Sequence, residues 1–156
     1  MPESRRQFPP GTPCCDITDT RHDGRETVLV VGTDDWAIEQ GASSLESAGH
    51  RVLRCHEPGR PAFPCNALTP EGICPLDVGF DVVVTMRGHA LSPPPAGEFG
   101  VVCGLRAGAG LIVGGLGGTN PFEDWETGII ESGEELSTAV ARVAADRRSG
   151  LRLPAS

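Results

Sequence analysis

Runs of β-branched residues alternate along the chain with stretches of helical spacing. Thr27-Val28-Leu29-Val30-Val31-Gly32 is continuously apolar, the pattern of a strand buried on both faces. From about Asp35 to Ala48 the pattern changes. Ile38, Ala42 and Leu45 fall on one helical face, and Gly49 supplies a stop. His50 to Cys55 reads as a second strand, so this β-α-β unit has the length of a parallel crossover. Phe80 to Met86 predicts a third buried strand, and Gly110 to Gly114 a fourth. Between them Gly97 to Ala107 predicts a helix, weakened by Gly100 and Gly104. Pro121 to Trp125 predicts a short turn or helix, and Thr127 to Glu131 a fifth strand. Ser132 with Glu135 three residues on forms a capping-box pattern for a last helix. Its apolar face is Leu136, Ala139, Val140 and Val143.

Five strands alternating with helices predict an α/β fold with a doubly wound parallel sheet in three layers, α/β/α. The expected strand order is 2-1-3-4-5. Residues 26–149 form the expected domain. The Pro-rich, polar residues 1–25 are expected to be a flexible arm, and 150–156 a tail. Residues 56–79 lack helical periodicity where such a fold has a helix, which makes them the anomalous segment. Ligands of these folds meet the carboxyl ends of the strands. Thr33, Asp34, Asp35, Thr85, Arg87, Gly115 and Thr119 are therefore the candidate ligand-binding residues. Asp34 and Asp35 would otherwise cap the first helix.

Composition narrows the chemistry. The chain has 156 residues and a net charge of −8, and all 13 of its cations are arginine. With no lysine there is no Schiff-base, Walker or receiver-type lysine, and with no tyrosine no tyrosine acid or base. The acidic balance argues against non-specific nucleic-acid binding and leaves protein as the expected partner. No apolar run reaches 18 residues, so no membrane-spanning helix is expected. Arg5-Arg6 has no apolar stretch behind it to make an export signal. A cytoplasmic location follows as the expectation, with the six cysteines as thiols, metal ligands or redox switches.

Residues 27–148 resemble a response-regulator receiver domain in length and element order. The resemblance is carried by Val28-Leu29-Val30-Val31 before Asp34-Asp35, by Ala48-Gly49-His50-Arg51-Val52, and by Pro121-Phe122 through Ser132-Gly133-Glu134-Glu135-Leu136. The chemistry departs from that family. Gly32 and Thr33 stand where its acidic pair follows the first strand, and Thr85 or Met86 where its phosphoacceptor ends the third. Phosphotransfer needs carboxylates at both places. The resemblance implies a non-catalytic pseudo-receiver with a regulatory or binding role.

Val28 to Gly32 and Ala48-Gly49-His50 are also similar to the opening of a nucleotide-binding Rossmann domain. Asp35 and Ile38 occupy its glycine positions and would keep a pyrophosphate away.

A third resemblance rests on Phe80-Asp81-Val82-Val83-Val84, Gly97-Glu98-Phe99-Gly100-Val101-Val102 and Ala109-Gly110-Leu111-Ile112-Val113. These are similar to nucleoside deoxyribosyltransferases, whose nucleophilic Glu lies in a Glu-x-Gly pattern after the third strand. Glu98 matches it. The resemblance implies an alternative function, cleavage of an N-glycosidic bond with Glu98 as nucleophile. Arg87-Gly88 stands where that family has Asp-Gly, and its tyrosine is missing. Without such a role, Glu98 would simply favour the dipole of a helix first turn.

Cys55, His56, Cys65 and Cys74 supply three sulfurs and an imidazole around the anomalous segment. Such a set suits tetrahedral Zn²⁺, and the three cysteines with one further ligand suit an iron–sulfur cluster. A reversible disulfide or plain packing of the thiols are the other outcomes. Cys103 is expected to pack in the core beside Phe99 and Val102, and Trp36 and Trp125 to pack likewise.

Overall fold

The computed structural model describes residues 24–57, 59–88, 95–115, 120–130 and 133–150. The chain runs through β1 (Thr27–Gly32), α1 (Asp35–Ser47) and β2 (Arg51–Leu53). The segment that follows carries a 3₁₀ turn at Asn66–Leu68 and the one-turn helix α2 (Pro75–Val78). Next come β3 (Val82–Arg87), a 3₁₀ turn at Ala96–Glu98, α3 (Phe99–Arg106) and β4 (Gly110–Gly115). A 3₁₀ turn at Glu123–Trp125 and α4 (Leu136–Arg148) close the order. Among the described residues no helix is long and apolar enough to cross a membrane.

The sheet is parallel throughout, in the order β2-β1-β3-β4. Strands β1 and β3 are central, and the runs Val28–Val31 and Val82–Val84 are buried on both faces, as the β-branched pattern predicts. Alternate residues divide between two cores. Val28, Val30, Val82, Val84 and Ile112 meet α1 and α4, through Ile38, Leu45, Val140 and Val143. Leu29, Val31, Val83 and Leu111 meet α3 through Val101 and Leu105. Gly100 and Gly104 let α3 lie close on that second face. A Cβ at Gly100 would stand 2.7 Å from Val31 Cγ1, and one at Gly104 2.9 Å from Val83 Cγ1. The two glycines that lower helix propensity are therefore sites of close approach.

Among the described residues the expected fifth strand shows one parallel bridge, between Ile112 and Gly128. The Thr127 and Gly128 N–H groups donate to the Leu111 carbonyl oxygen at 3.0 and 3.1 Å, and side chains take N–H groups of the β4 edge. Leu111 N–H donates to Thr127 Oγ1 at 2.5 Å, and Val113 N–H to Glu126 Oε1 at 3.3 Å. The last helix starts at Leu136 with Glu135 as its N-cap, and the expected cap Ser132 lies outside the described residues. So do 1–23 and 151–156, nearly all of the expected arm and tail.

Candidate functional site

β3 delivers Val83, Thr85 and Arg87 to one face by strand alternation, and α3 covers that face. The turn before α3 brings Glu98 over the end of the strand. Gly97 permits this by packing against the last carbonyl of β1: a Cβ there would stand 2.6 Å from Gly32 O. Glu98 is 1% exposed. Thr85 Oγ1 donates to Glu98 Oε1 at 2.6 Å, and Arg87 Nε forms an ion pair with the same oxygen at 3.0 Å. Arg87 is itself 4% exposed and Thr85 fully buried. The other carboxylate oxygen, Glu98 Oε2, is buried with no hydrogen-bond partner among the described residues. Buried polar atoms are almost always paired, so this one calls for an account.

The remaining residues of the strand ends are placed as follows. Thr33 Oγ1 accepts the Gly88 N–H at 2.8 Å and ties the exit of β1 to the exit of β3. Asp34 caps α1, accepting the Ala37 N–H at 2.8 Å, as its position predicts. Asp35 accepts the Gly59 N–H at 3.1 Å, which fastens the start of the anomalous segment. Gly115 ends β4 with φ +114°, against the Arg87 carbonyl where no side chain fits. Thr119 lies outside the described residues. The structure therefore brings Thr85, Arg87 and Glu98 together and spends Asp34 and Asp35 on backbone N–H groups.

The cysteines lie elsewhere. Cys55 follows β2 and packs on the α3 face of the sheet. Burial pushes its thiol up to about 12, and the charges of Cys65, Cys103 and Cys74 push the same way. Cys103 is exposed, together with Phe99 and Val102, so the expected core position is corrected. Trp36 and Trp125 are exposed too, against the expectation of packing. His56 has Nδ1 3.2 Å from the Glu57 carbonyl oxygen. Among the described residues no three His, Cys, Asp or Glu side chains already stand as a metal-ligating group.

Sequence reasoning singled out Thr85 and Arg87 as ligand contacts without seeing that they hold Glu98. Period-2 alternation in β3 was the available signal, since it puts both on the side that the following helix covers. Glu126 was missed altogether. Comparisons with known families, curated proteins and solved structures find no match for this chain.

Proposed function

We infer that the protein acts on an N-glycosidic bond, with Glu98 as the nucleophile. The observation that carries this reading is the state of Glu98. One oxygen is fixed by Thr85 and Arg87 while the other, Oε2, lacks a hydrogen-bond partner among the described residues. Arg87 supplies a countercharge that keeps the carboxylate oriented, and Oε2 is left to react. In the step proposed, Oε2 forms a bond to the anomeric carbon of a nucleoside. The C–N bond breaks, its electron pair leaves with the base, and the base takes a proton from water. Water, or a second base, then displaces the sugar from the Glu98 ester. Glu98 is 1% exposed, so the reaction requires that Oε2 become accessible to the sugar.

A second reading, a non-catalytic receiver-like domain that binds a protein, is favoured by a different observation. Asp34 and Asp35 are committed to backbone N–H groups, and β3 ends on Thr85-Met86-Arg87 without a carboxylate. Glu98 and Arg87 would then act only as a buried plug between β3 and α3.

One experiment separates the two. The chain is incubated with ribo- and deoxyribonucleosides and their monophosphates, with and without a second free base, and released base is followed by chromatography. Release by the wild type, lost in a folded Glu98→Gln variant, is expected. No release from any of these substrates, or equal release by Glu98→Gln, overturns the enzymatic reading and leaves the binding role.

A further inference from the structure

Residues 56–79 are held in place with almost no core of their own. Among the described residues of this segment only Pro75 is buried, while Phe63, Leu68, Ile73, Leu76 and Val78 are exposed. Its regular structure amounts to one 3₁₀ turn and one helical turn. A stretch of this length that buries so little apolar surface needs another device to offset its ordering entropy.

Both ends of the segment are moored to the same helix. Cys55 Sγ lies against α3 at Gly100, 3.1 Å from where a Cβ would stand, and Phe80 Cε2 lies 3.3 Å from the same point at Gly104. Cys103 stands on α3 between these moorings, three residues on from Gly100, and its thiol is exposed. Cys65 and Cys74 each sit at the threshold of a turn, beside Pro64 and Pro75, and both are half-buried. All three sulfurs lie within electrostatic reach of Cys55.

We propose that Cys55, Cys65, Cys74 and Cys103 bind one Zn²⁺ ion that fastens the 56–79 segment to α3. The fourth ligand is thus the helix cysteine, in place of His56, whose Nδ1 already faces the Glu57 carbonyl oxygen. Each thiol releases its proton as it ligates, and the ion supplies the positive charge that four thiolates require. The four ligands are drawn together as the ion binds, because a metal site of this kind is completed by the metal itself. The ion would stand on the α3 face of the sheet and contribute folding free energy there.

The test uses the full chain, reduced and loaded with Zn²⁺, with metal content measured by elemental analysis after desalting. About one zinc per chain is expected in the wild type and in His56→Ala, with loss in Cys103→Ser and in Cys65→Ser. Because Cys103 is exposed, its replacement leaves the core intact, and circular dichroism of the variant checks this. Co²⁺ in place of zinc should give the absorption of a tetrahedral thiolate site in the wild type and not in Cys103→Ser. A reduced wild type that holds no zinc overturns the proposal. So does zinc that survives in Cys103→Ser but leaves with His56→Ala, or iron bound in its stead.

Discussion

A carboxylate taken out of water needs both countercharge and hydrogen bonds, and Glu98 receives them on one oxygen only. Thr85 is the side chain that fixes its direction. At 2.6 Å the hydroxyl bond is as short as an O–H donor makes to a charged oxygen. Replacing Thr85 with Val keeps the shape and deletes the donor, leaving a buried acceptor less satisfied. We expect Thr85→Val to lose about 1–3 kcal/mol of unfolding free energy. Urea denaturation of the variant measures this. A loss within experimental error would mean that Arg87 alone holds the acid. Thr33 makes a bond of similar length, but to the Gly88 N–H in a half-buried place, so the same change there should cost less.

At the scale of elements, the edge of β4 shows side chains taking up backbone N–H groups beside a single bridge. Glu126 accepts from Val113 N–H and from Asn120 Nδ2, at 3.3 and 3.1 Å. Partial burial raises its pKa above 4.5, its two hydrogen bonds oppose this, and Glu123 adds to the rise. An acid whose folded pKa is raised favours the folded state while protonated. Its contribution is full below pH 4.5 and is lost as the pH rises through the folded pKa. Stability of the wild type should therefore fall across that interval from this group, and Glu126→Gln should flatten the step. Denaturation midpoints taken from pH 4 to pH 7 test it, and an unchanged pH profile in Glu126→Gln removes the assignment. This edge was also the least legible part of the fold. β1, β3 and β4 announce themselves because a strand buried on both faces must be continuously apolar. Thr127 to Glu131 has the β-branched content of a strand, yet among the described residues it shows one bridge, with Thr127 Oγ1 and Glu126 Oε1 taking two N–H groups of the β4 edge. The site was legible in its residues and not in its pairing. Glu98, Thr85 and Arg87 were each singled out, yet the sequence does not say that a turn at Ala96–Glu98 carries the acid back over β3. The structure corrects the core position expected of Cys103 because Val101 and Leu105 supply the apolar contacts of α3 with the sheet, which leaves Cys103 exposed.

At the scale of the whole molecule, one ion pair joins the beginning of the fold to its end. Glu26 stands just before β1 and is 1% exposed. Arg148 at the end of α4 reaches it with two bonds, Nη1 to Oε2 at 2.7 Å and Nη2 to Oε1 at 3.0 Å. The Glu26 N–H also donates to His50 Nδ1 at 3.1 Å, so the start of β1, the entry to β2 and the last helix meet at one point. The hydrogen bond to Glu26 raises the pKa of Arg148, whose contribution is lost only above the unfolded value. Over any ordinary pH the arginine side of the pair is constant. Its strength is unequal between the partners, because the Arg148 side chain is 39% exposed and the Glu26 side chain 1%. Removing the arginine takes two charge-assisted bonds from a buried carboxylate, whereas removing the acid leaves a guanidinium that water can reach. Arg148→Ala should therefore cost about 1–3 kcal/mol, discounted for solvent around the arginine. In a Glu26→Gln background the buried charge is gone, and the same Arg148→Ala change should cost under about 1 kcal/mol. Urea denaturation of the two single variants and the double variant closes this cycle. An equal cost of Arg148→Ala in both backgrounds would show that the arginine acts through its aliphatic stem on α4 rather than through Glu26, and the two ends of the fold would then be held by packing alone.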